Sequence, residues 1–142
     1  MSSPDRDSPV SASASPRRKF LKDSERANVR RLNHVYNGNG LIDVKYFFRE
    51  QGLPEPARIL IYTIPPGASE GIHVHAPGDA KAGSFDEFYY VISGSGKMEI
   101  DGENVPVAAG DHVFAPNGVA HGIENTSAEG DLKIYLLAVM RD

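Results

Sequence analysis

Residues 87–124 read EFYYVISGSGKMEIDGENVPVAAGDHVFAPNGVAHGIE, and the spacing of their turns decides the fold. Runs rich in β-branched, aromatic and alternating residues, at 87–92, 96–100, 104–107, 112–115 and 120–124, are cut by Ser93-Gly94-Ser95, Asp101-Gly102 and Pro116-Asn117-Gly118. Short runs of this kind between turn residues predict strands. Asp101-Gly102 predicts a two-residue hairpin, because both residues accept the positive φ that such a turn requires. Gly94 and Gly110 fit tight turns, and Asp111 is placed to cap one. The same texture continues outward, with runs at 41–48, 58–64, 71–75 and 132–140 and turns at Asn37-Gly38-Asn39-Gly40 and Pro65-Pro66-Gly67. No 3.6-residue periodicity and no internal repeat interrupts it. Eight or so short strands joined this way predict an all-β sandwich or barrel.

The 142 residues suffice for one domain, and no apolar stretch approaches the run of about 20 residues that spans a bilayer, so no membrane partner is expected. The absence of cysteine excludes disulfides, thiolate metal sites and a Cys nucleophile; any metal must be held by nitrogen and oxygen. The net charge of -4 conceals an asymmetry: residues 1–31 carry eight Lys/Arg and four Asp/Glu, leaving seven and fifteen for residues 32–142. The acidic part repels nucleic acid, which is not expected as a partner.

Residues 1–19 are dominated at first by Ser, Pro, Ala and Asp and are predicted to be a disordered tail. Residues 20–36 form an arm, its first part a short helix or a segment docked on the barrel, and 37–142 form the domain. Arg17-Arg18-Lys19-Phe20-Leu21-Lys22 resembles a twin-arginine export signal, but Asp23-Ser24-Glu25-Arg26 occupies the place of its apolar core. The expected location is therefore the cytoplasm.

Five histidines are present, at 34, 73, 75, 112 and 121. His73 and His75 lie two apart in a strand-like run, so both imidazoles leave one face, with Ile72 and Val74 on the other. Asp86-Glu87 opens the next run, and alternation groups Glu87 with Tyr89 and Val91, opposite Asp86, Phe88 and Tyr90. One of these two carboxylates can join the histidine pair, and His121 is the fourth candidate. His112 is read as structural and His34 as a surface residue. Tyr89, Met98, Ile100 and Phe114 are candidates for the interior. Arg58 and Tyr62 share a strand face; if it points inward, Arg58 can pair with an anionic substrate, and otherwise it faces solvent.

These spacings resemble the two motifs of the cupin family. Gly67, five residues, His73-Val74-His75, then Glu87, six residues and Gly94 resembles the first. Gly110, five residues, Pro116-Asn117-Gly118, two residues, His121, three residues and Asn125 resembles the second, and the fifteen residues between Gly94 and Gly110 suit small cupins. One departure stands out: eleven residues separate His75 from Glu87, where the family has three or four. Residues 77–84 (PGDAKAGS) are therefore read as an enlarged loop at the barrel mouth, with Asp79 and Asp86 as alternative carboxylates.

The resemblance implies a double-stranded β-helix, a small jelly roll, holding one divalent transition metal with His73, His75, Glu87 and His121. Three imidazoles and a carboxylate suit Fe, Mn, Ni, Co, Cu or Zn, with iron favoured. The activity implied is metal-dependent and directed at a small-molecule substrate, an oxygenase first and an isomerase, cyclase or lyase next. The alternative outside catalysis is a ligand-binding or accessory cupin. Tyr62 and Tyr89 are the candidate acid–base groups. A homodimer is expected, with residues 20–48 crossing to the partner barrel.

Overall fold

The computed structural model describes residues 20–52, 57–79 and 83–141; the expected tail at 1–19 lies outside them. The strands are β1 (Arg30–Asn33), β2 (Leu41–Tyr46), β3 (Ala57–Ile64), β4 (Ser69–His73), β5 (Phe85–Ser93), β6 (Ser95–Ile100), β7 (Glu103–Ala108), β8 (His112–Ala115), β9 (His121–Glu124) and β10 (Leu132–Met140). All pair antiparallel, in one sheet of order β1-β2-β3-β10-β5-β8 and another of order β4-β9-β6-β7. This two-sheet arrangement is the expected all-β jelly roll. Between β6 and β7, Asp101 (φ 52°) and Gly102 (φ 81°) form the expected hairpin turn. The Asp111 carboxylate accepts the Ala108 N–H at 2.8 Å, capping its turn as expected.

Strand alternation builds the core. Leu132, Ile134, Leu136 and Ala138 of β10 point between the sheets, as do Glu87, Tyr89 and Val91 of β5, facing Met98 and Ile123 from the smaller sheet. Phe114 departs from expectation: it is 50% exposed. Its register partner on β5 is Phe88 rather than Tyr89, and directly opposed residues share a face, so both rings lie on the outer surface, 4.9 Å apart.

Among the described residues, 20–29 contain no helix; they form an extended segment with a turn. Asp23 anchors it, accepting hydrogen bonds from the Lys45 ammonium at 3.0 Å and the Phe48 N–H at 2.8 Å. Lys45 is only 1% exposed, so this pair satisfies a buried charge. The arm then enters the sheet as β1, and β2 pairs with β3 of the same chain. Residues 30–46 thus pair within the sheet of their own chain.

Between β1 and β2 the chain makes a 3-10 turn at Val35–Asn37. His34, Tyr36 and Asn37 all have positive φ, at 54°, 49° and 63°, a conformation that costs non-glycine residues about 1 kcal/mol each. The turn is seated by two glycines. A Cβ on Gly71 would lie 2.0 Å from the Tyr36 carbonyl oxygen, and one on Gly38 would lie 2.1 Å from that of Ser69. Backbone meets backbone there only because neither residue has a side chain.

Candidate metal centre

The larger sheet contributes Glu87, and the ends of β4 and β9 contribute the histidines. His73 and His121 are register partners across β4 and β9, so their side chains stand side by side. His75 follows two residues on, with Ile72 (49% exposed) and Val74 (38% exposed) facing out, as alternation predicts. Glu87 points inward from β5 toward this group. One donor atom from each of His73, His75, Glu87 and His121 lies within 4.8 Å of the others.

Three backbone carbonyls orient the rings. His73 Nδ1 bonds Gly71 O at 2.9 Å, His75 Nδ1 bonds Gly83 O at 3.1 Å, and His121 Nδ1 bonds Val119 O at 3.0 Å. A carbonyl only accepts, so each Nδ1 carries the hydrogen and each Nε2 points inward, where it can carry a proton or bind a metal ion. The Nε2 atoms of His73 and His75 are 3.2 Å apart. Glu87 Oε1 lies 3.2 Å from His75 Nε2 and 2.8 Å from His121 Nε2. Lone pairs and a carboxylate at these separations are held together only by cations: protons in the metal-free molecule, or one metal ion that displaces them. Donors at metal–ligand distances of about 2.0–2.2 Å stand about 3 Å apart when adjacent on an ion, so the set fits such an ion.

The electrostatics agree. Burial, with the neighbouring His121 and His75, presses the His73 ring down to about 4 despite its carbonyl partner. Burial raises the Glu87 carboxyl, but hydrogen bonds from His121 and His75 outweigh it and hold the group at about 2. His121 is lowered by burial and raised further by its bond to Glu87 and by the charge of Glu70, ending above its ordinary value.

The other candidates lie elsewhere. Asp86 faces away from the cluster, accepts the Asn117 N–H at 2.8 Å and pairs with Arg141. Asp79 is not in the cluster. His112 is on the outer face beside Phe88 and Tyr90, and the exposed His34 bonds the Gly38 carbonyl. Tyr62 and Tyr89 are buried behind the cluster, and both hydroxyls donate to Glu70, at 2.7 and 2.8 Å. Tyr89 also reaches Glu87 Oε1 at 3.3 Å. Burial and the charges of Glu70 and Glu87 raise both phenols well above their ordinary range, so they stay protonated.

Glu70 escaped the reading of the sequence. Extending the alternation back from His75 and His73 puts it outside, yet it is 2% exposed. The β4–β9 register shifts between Glu70 and His73, and this bulge turns both side chains inward. Burial, and then the charge of Glu87, push the Glu70 carboxyl up from 4.5 to about 7, against His121 and the two tyrosine hydroxyls. A group raised on folding contributes stability that is fully present below 4.5 and is lost as pH rises through 7. In chelator, the unfolding free energy of the wild type is therefore expected to fall relative to Glu70→Gln by about 2–3 kcal/mol between pH 5 and pH 8. Urea unfolding across that range measures it, and a flat difference would mean that Glu70 is ionised throughout.

Tyr36, from the strained turn, was also not legible in the sequence; its ring stacks on His73 with centroids 3.7 Å apart and planes 9° apart. Beside the cluster lies a cavity of about 350 Å³, with His75, Glu87, Tyr36 and Arg58 in its wall. The strand face carrying Arg58 and Tyr62 thus points inward, and Arg58 reaches solvent at the rim, its guanidinium 4.6 Å from the Phe85 ring centroid.

Comparison with known proteins bears on the fold and the family. Over 111 residues the chain is 32% identical to the oxalate-binding protein of Thermotoga maritima, covering 78% of this chain and 84% of the relative. A crystal structure from the same organism, described as a predicted oxalate decarboxylase, superposes with a TM-score of 0.74 at 27% identity, over 86% of this chain and all (100%) of that one. A cupin 2 conserved barrel domain protein of Salinispora arenicola shares the fold, with a TM-score of 0.64 at 21% identity over 87% and 90% of the two chains. The family model of the cupin domain matches residues 60–140, which run from β3 through the four clustered side chains to the end of β10. With both motifs, the barrel and the relatives in agreement, the chain belongs to the cupin family.

Proposed function

We propose that His73, His75, Glu87 and His121 hold one divalent transition-metal ion, and that this centre binds a small chelating carboxylate, of the oxalate kind, in the adjoining cavity. The observation that carries the reading is the set of three inward Nε2 atoms around Glu87, each ring fixed by a carbonyl at Nδ1. Support for the ligand comes from Arg58 at the cavity rim, whose guanidinium suits a carboxylate, and from the names of the Thermotoga relatives. When bound, the metal supplies Lewis-acid polarisation of the ligand oxygens. The chain's own residues orient the ligand through Arg58 and, through the Tyr89 hydroxyl, steady Glu87 and keep a proton beside it.

The donor set also suits oxygenase chemistry with iron, and isomerase, cyclase or lyase chemistry with other ions; the relatives' names favour the carboxylate ligand over a dedicated oxygenase. The charged residues after Arg17-Arg18 support a cytoplasmic location. Exposed Phe114, Tyr90, Ile92 and Tyr135 on β8, β5 and β10 support a homodimer.

Untagged protein purified without chelator is expected to carry about one transition-metal ion per chain by inductively coupled plasma mass spectrometry. It is expected to bind oxalate only when loaded, by calorimetry, and to show twice the 15.4 kDa chain mass by light scattering. Oxygen uptake by the Fe(II)-loaded protein would shift the reading to an oxygenase. Failure to take up Fe(II), Mn(II), Co(II), Ni(II) or Zn(II) would overturn it, and a monomer mass would end the dimer.

A further inference from the structure

The cavity beside the cluster is larger than oxalate needs, and half of its lining residues are apolar. Its volume is about 350 Å³. At about 30 Å³ for each water it has room for roughly twelve, more than oxalate with its four oxygens and two carbons can fill. Much of the remainder is bounded by Leu32, Val35, Val44, Leu60, Phe85 and Leu136, none of which can hydrogen-bond a polar ligand through its side chain, with Asn33, Tyr36, Tyr46 and Tyr62 set among them. An oxalate ion would leave this wall against water, whereas an apolar group would cover it.

The route from the cluster to that wall is open because of one small residue. Ala138 of β10 pairs with Arg58 of β3 on one side and with Glu87 of β5 on the other. Directly opposed residues share a face, so the floor between carboxylate and guanidinium is a methyl group. A longer side chain there would occupy the space that joins the polar cluster to the apolar wall. Leu32, Val35 and Tyr36, on the opposite flank, come from β1 and the strained turn. Strain of this kind persists where the surrounding structure holds it, and it clusters around ligand sites.

We infer that the ligand is an amphiphilic chelator: a carboxylate with an adjacent oxygen, as in a 2-oxo acid, bearing an apolar body of several carbon atoms that lies over Ala138 against the arm. This rests on the metal–carboxylate reading and gives its ligand a second half. The polar head keeps the two neighbouring oxygens that oxalate presents to a metal. The apolar body accounts for the wall that oxalate does not touch.

The test is calorimetric titration of the Co(II)-loaded full-length chain with oxalate, pyruvate, 2-oxobutanoate, 2-oxopentanoate and 2-oxohexanoate. Affinity is expected to rise about fourfold with each methylene, and the longest acids are expected to bind more tightly than oxalate. In Ala138→Leu the rise with chain length is expected to flatten. Oxalate binding with affinity flat or falling along the wild-type series overturns this inference and leaves the metal–carboxylate reading standing. Binding of none of the five by the loaded protein overturns both.

Discussion

His121→Ala is expected to leave both sheets folded and to weaken metal binding by about a hundredfold or more. Loss of a group that merely orients a ligand costs about 10- to 100-fold in metal affinity, and His121 is itself one of the four clustered donors. It is fully buried, pairs across the strands with His73, and lies 2.8 Å from Glu87. Water entering the vacated space can replace one donor but not a ring fixed by the Val119 carbonyl. Without metal, the variant leaves Glu87 without its nearest partner, a loss of about 1–3 kcal/mol. Competition against a chromophoric chelator measures the affinity, and circular dichroism checks the fold. Undiminished affinity would place the ion elsewhere.

Gly71→Ala is expected to destabilise the chain by about 3 kcal/mol, at the upper end of overpacking costs. The new Cβ would meet the Tyr36 carbonyl oxygen at 2.0 Å and the Gly38 nitrogen at 2.9 Å, both backbone atoms of a turn that already holds three residues at positive φ. Relief requires the turn to lift off β4, which takes Tyr36 away from His73. The damage is therefore expected to reach the site as well as the stability. Urea unfolding measures it, and a loss below about 1 kcal/mol would show that the turn shifts without resistance.

The strands and their turns could be read because they rest on local chemistry. Asp101-Gly102 makes its hairpin whatever lies around it, and the runs at 112–115 and 132–140 coincide with β8 and β10. Part of the cluster was legible for a related reason: period-two alternation puts His73 with His75 and separates Glu87 from Asp86, while the choice of Glu87 and the addition of His121 came from the resemblance to the cupin motifs. What escaped depends on contacts between distant parts of the chain. Glu70 is turned inward by a bulge that shows only when β4 is laid against β9. Tyr36 reaches His73 because Gly38 and Gly71, far apart in sequence, let two backbones touch. Phe114 sits outside because of the β5–β8 register, which its own sequence does not encode. The arm carried no strand signal, and its place comes from the partnership of Asp23 with a lysine on β2.

The origin of the four donors has a mechanical side. His73 and His121 belong to the smaller sheet and Glu87 to the larger, so an ion held by them, as proposed, would rivet the two halves of the barrel together. A chain without cysteine has no covalent staple for that purpose. The rivet's strength is set by supply: free metal at a hundred times its dissociation constant adds about 2.7 kcal/mol to the folded state, and scarcity removes it. With the proposed ion in place, resistance to unfolding and proteolysis would become a gauge of the metal available around the barrel.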